Sequence, residues 1–216
     1  MVTIVARIFA VLFLLGGLAG CASLSGTGPY QQDADLIRLE HLAYWSGLVE
    51  EYQAETGRYP LQDRLTPENE VILVKIATRQ QMKYLSQGMS QFTSVPVATF
   101  VSELEAGLER EIAEKYDIQK VPTTSPVGYY YFATEDGYLL WVTCRTCGVT
   151  EISTLLMDGV TPTVNIVSPG MKGQVVKALT REEMLSHPVY QGWRSRPFNK
   201  EAYVRGLVEE NARDSK

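Results

Sequence analysis

Apolar residues recur at three- and four-residue steps from Leu36 through Leu39, Leu42, Ala43 and Val49 to Tyr52. That spacing puts an apolar stripe on a helix over residues 33–56, with Asp33 or Asp35 placed to cap its start and Gly57 its end. Residues 71–77 form a short β-branched run that reads as a buried strand, and 79–87 as a short helix closed by Gly88. A second amphipathic helix is expected over 96–115, with Pro96 near its first turn and Phe100, Val101, Leu104, Leu108 and Ile112 on its buried side. The period then drops to two. Strands are expected at 129–134, 138–144, 149–157 and 163–167, with joints at Glu135-Asp136-Gly137, Arg145-Thr146 and Asp158-Gly159. Strands so closely spaced pair antiparallel, because a parallel crossover needs a dozen or more residues. Toward the end, Thr180 and Glu183 have the spacing of a capping box, and Asn199 can cap a last helix over 200–211. The pattern predicts a single α+β domain over 31–216: an N-terminal amphipathic helix and further helices packed on an antiparallel β-meander.

Composition narrows the class without naming an activity. The chain has 216 residues, 45% of them hydrophobic and 21% charged, which is ordinary globular composition. Twenty Lys and Arg against 25 Asp and Glu give a net charge of −5, without the basic footprint of a nucleic-acid binder. Two His and three Cys leave little material for a metal site, and neither a metal nor a cofactor is expected.

The first residues read as an export signal rather than as structure. Arg7 is followed by an apolar run over 8–15 and then by Gly16, Gly17, Ala19 and Gly20. The uncharged stretch between Arg7 and Cys21 is shorter than the about 20 residues of a membrane-spanning helix. Leu18-Ala19-Gly20-Cys21 resembles the lipobox of bacterial lipoproteins. The resemblance implies a signal peptide over 1–20, cleavage before Cys21, and a diacylglycerol with further acylation, such as palmitate, on that cysteine. Ala22, where an Asp would favour inner-membrane retention, implies the periplasmic face of the outer membrane. Residues 21–30, with Gly26, Gly28 and Pro29, have the composition of a flexible tether. As a whole the chain resembles uncharacterised Gram-negative lipoproteins, which implies no activity.

A second, local resemblance lies at the end of the first helix. Glu51-Tyr52-Gln53-Ala54-Glu55-Thr56-Gly57-Arg58-Tyr59-Pro60 resembles the helix-to-loop passage of type IV pilins and type II secretion pseudopilins, and so implies a pilin-like globular fold. The prepilin cleavage motif and its hydrophobic stem are not present. A plain helix stop, with Gly57 as C-cap and Pro60 preventing continuation, accounts for the same residues.

Candidate chemistry is sparse. Cys144-Arg145-Thr146-Cys147 can form a structural disulfide, a redox disulfide, half of a zinc site or two free thiols. Its place between strands, away from a helix N-terminus, favours the structural bridge of an exported protein. No hydrolase elbow, Ser-x-x-Lys pair, zinc-protease helix or phosphate loop occurs in the sequence. His41 and His187 read as packing or helix-end residues. Tyr129, Tyr131 and Trp141 on the strands, and Trp193, Arg196 and Phe198 near the end, are of the types found at interface hot spots and form a candidate interaction surface, with core packing as the alternative. The expected function is a non-enzymatic interaction or assembly module of the envelope, held at the membrane through lipid on Cys21 and docking an envelope protein. The alternatives are a thiol–disulfide protein using Cys144 and Cys147, or a small-ligand binder.

Overall fold

A computed structural model describes residues 29–79, 81–83, 85, 92–117, 128–142, 155–159, 179–199, 201 and 203. The periodic leucines form a helix, α1 (Pro29–Thr56), which begins before the expected Asp33. Neither aspartate caps it: Asp33 pairs with Arg196 at 2.9 Å and Asp35 with Arg38 at 2.6 Å, both from inside the helix. At the other end Gly57 takes φ +76, and its N–H donates to the Gln53 carbonyl at 2.8 Å. This is the left-handed stop that glycine makes without steric cost.

Five strands follow in one sheet: β1 (Ile72–Ile76), β2 (Thr93–Val95), β3 (Tyr129–Thr134), β4 (Gly137–Val142) and β5 (Leu155–Gly159), in spatial order β2-β1-β3-β4-β5. Three of the four pairings are antiparallel, as expected, but β1 and β2 run parallel, so the sheet is mixed rather than a pure meander. The sequence pattern missed β2 because it has only three residues and leads straight into Pro96. The hairpin joint is where the turn residues put it: Thr134 pairs with Gly137, leaving Glu135 and Asp136 as a two-residue loop. Asp158 and Gly159, expected as a joint, instead pair with Tyr138 and Gly137 inside β5. Residues 143–154 and 160–178, and with them the expected strand at 163–167, lie outside the described residues. At 79–87 only a 3-10 turn over Gln81–Lys83 is described.

The second helix, α2 (Val97–Leu108), buries Phe100, Val101 and Leu104 as expected but stops well short of residue 115. Glu109 adopts φ 51 and ends it. The chain then runs without regular secondary structure beside α1 over residues 110–117, and Ile112 is buried from this strap rather than from a helix. Arg110 pairs with Glu51, the Tyr44 hydroxyl donates to the Ala113 carbonyl at 2.8 Å, and Trp45 Nε1 donates to the Lys115 carbonyl at 2.9 Å. The Lys115 ammonium also sits 3.9 Å above the Tyr44 ring.

Two short helices close the described structure, α3 (Arg181–Ser186) and α4 (Pro188–Arg194). The capping box is formed: Thr180 Oγ1 accepts from the Glu183 N–H at 3.1 Å, and the Glu183 carboxylate accepts from the Thr180 N–H at 2.8 Å. His187 joins the two helices, its Nδ1 accepting from the Val189 N–H at 3.3 Å. Beyond them Glu201 and Tyr203 are helical, and the rest of the expected last helix lies outside the described residues.

The core lies between one sheet face and the helices. Ile72, Val74, Ile76, Tyr129, Tyr131, Tyr138, Leu140 and Val142 alternate along their strands to face Leu39, Leu42, Trp45, Val49, Phe100 and Leu104. α1 touches α2, β4, α3 and α4, so it is a central helix rather than a surface one. That explains why Asp35, Arg38 and Ser46, off its apolar stripe, are buried as well. No helix among the described residues is long and apolar enough to cross a membrane.

Candidate functional site

The residues singled out from sequence do not converge. Tyr129 and Tyr131 are fully buried, so they belong to the core and not to a docking surface. The Tyr131 hydroxyl donates to the Pro60 carbonyl at 2.8 Å, which ties the loop after α1 to the sheet. Trp193 is also buried, packed with α1 and the sheet. Trp141 stays half-buried on the other sheet face, its ring 5.0 Å from that of Tyr130. Arg196 is committed to Asp33 near the start of α1, and half-buried Phe198 stacks edge-on against Tyr203 at 5.4 Å. Cys21, Cys144 and Cys147 lie outside the described residues. Among the described residues no group of three or more His, Cys, Asp or Glu is placed to hold a metal.

Two polar constellations were not foreseen. The first is buried. Arg38, 1% exposed, donates Nη1 to Asp35 at 2.6 Å and Nε to Asp117 at 2.5 Å, while the Asp117 carbonyl accepts from Gln81 Nε2 at 2.8 Å. Burial opposes the guanidinium charge, but Asp117 and Asp35 outweigh it and hold the Arg38 pKa above its ordinary value. Tyr129 lies beside this group with its hydroxyl 3.0 Å from His41 Nδ1. Burial, reinforced by Asp117, pushes the Tyr129 pKa well up, so the phenol is neutral. The network fastens the end of the strap to α1, and removing one member would strand an opposite charge in the core.

The second is open to solvent. α1, α3 and α4 enclose a cleft of about 680 Å³, lined by Glu50 from α1, Thr180, Arg181, Glu182 and Ser186 at α3, and Gln191 from α4. Glu50 Oε1 lies 2.9 Å from Ser46 Oγ and 3.0 Å from the Tyr138 hydroxyl, and those two hydroxyls are 2.6 Å apart. With two protons for three contacts, one hydroxyl donates to the other and that one to the carboxylate. Arg181 Nε donates to the Ala43 carbonyl at 3.0 Å, and its Nη1 stands 3.9 Å from Glu50 Oε2. Gly47 lies beneath the guanidinium; a Cβ there would come within 3.2 Å of Nε and 3.4 Å of Cζ. The capping box marks where α3 starts, but nothing in the sequence pairs residue 50 with residue 181. Only the packing of α3 across α1 brings them together.

No family model matches the chain, and neither a curated protein nor a solved structure does.

Proposed function

We propose that this chain is a lipoprotein of the outer membrane, facing the periplasm, that works as a non-enzymatic interaction or assembly module of the cell envelope. The observation that carries this reading is Leu18-Ala19-Gly20-Cys21 behind Arg7 and the apolar run at 8–15. In support, α1 begins at Pro29, with only residues 22–28 between it and the lipidated cysteine. At 3.3–3.6 Å per extended residue, that tether keeps the start of α1 within about 30 Å of the acyl chains. Two or more acyl chains at Cys21 anchor stably where one would not. With Tyr129, Tyr131 and Trp193 inside the core, a partner contact is left either to Trp141 on the sheet face away from α1 or, apart from it, to Phe198 and Arg196 beside the start of α1.

Fractionation of cells carrying Cys21→Ser tests the anchor. The substituted protein is expected in the soluble fraction, and its persistence in the outer membrane would overturn the reading. Crosslinking in intact envelopes tests the module. One stoichiometric envelope partner, retained in a Cys144→Ser/Cys147→Ser chain, is expected; mixed disulfides with many proteins, lost in that chain, would favour a thiol–disulfide role instead.

A further inference from the structure

We draw no further inference here: the strongest candidate, the surface patch on the sheet face away from α1 where half-buried Lys75 and Trp141 flank Tyr130 across β1, β3 and β4, carries nothing because nothing in the structure shows what covers it.

Discussion

Gly107 of α2 faces the ring of Tyr52 so closely that a Cβ there would overlap the Cδ2 and Cε2 carbons. Tyr52 cannot swing away without cost, because its hydroxyl donates to Glu103 at 3.0 Å and the side chain is packed in the core. Gly107→Ala is therefore expected to destabilise the domain by roughly 1–3 kcal/mol, the cost of overpacking a filled core, despite alanine's better helix propensity. Thermal denaturation would show a lowered midpoint; an unchanged or raised one would mean that the two helices can separate freely. Arg38 poses the opposite problem. Arg38→Met leaves Asp35 and Asp117 buried and facing each other without their shared cation, and a loss of about 3–5 kcal/mol is expected. Adding Asp35→Asn and Asp117→Asn to that variant should recover part of it. The buried phenols set an alkaline limit. Burial holds the pKa of Tyr129 and Tyr131 well above the ordinary 10.0, and burial with Glu103 pushes Tyr52 up to about 12. Below pH 10 these tyrosines are neutral in both folded and unfolded chains and confer no pH dependence. Above it the unfolded chain ionises first, so stability should fall by up to about 1.4 kcal/mol per pH unit for each such tyrosine. Urea melts from pH 8 to pH 12 would reveal a plateau followed by that decline.

The elements explain why those residues matter and how much of them the sequence disclosed. The turn after α1 is held by one carboxylate: Glu103 accepts from the Tyr52 hydroxyl, from Arg58 Nη1 at 2.9 Å and from the Leu61 N–H at 2.9 Å. Leu61 is buried and takes φ 65, so its N–H would lose its side-chain acceptor in Glu103→Ala. A cost of about 1–3 kcal/mol is expected, with faster amide exchange confined to residues 57–62 as the local signature. From sequence, Gly57 and Pro60 were readable as a stop, because both act through the backbone at their own position. The anchoring of that stop by Glu103 was not readable, since it depends on α2 crossing α1. The same distinction explains the second helix. Its apolar spacing continues to Ile112 and predicts a helix, but tertiary bonds from Tyr44 and Trp45 to the 113 and 115 carbonyls capture the chain as a strap instead. Periodicity reports which residues are buried more reliably than which backbone buries them.

At the scale of the whole molecule, the α+β class and the β3–β4 hairpin were legible because strands and turn residues are local signals. The parallel β1–β2 pair and the cleft were not, since both depend on segments far apart in the chain. The tyrosine run shows the limit from the other side. Strand alternation correctly divides Tyr129 and Tyr131 from Tyr130 and Trp141, but alternation alone does not say that both sheet faces are covered, as the burial of Tyr130, Phe132 and Leu139 shows. One feature of the architecture governs the order in which it can be made. α1 comes early in the chain, yet its buried start is completed by Arg196 on Asp33, a contact across 163 residues, and by Phe198 and Tyr203 beside Ala34 and Ile37. A growing chain therefore carries the start of this helix without its full binding surface until residues 196–203 are made. Folding waits on closure of that long loop. A chain ended at residue 180 is expected to remain non-cooperative in urea melts. During synthesis the rest of α1 can pack against α2 and β4 once residue 142 is made, while its start stays uncovered, and open to a holding chaperone, until residues 196–203 emerge.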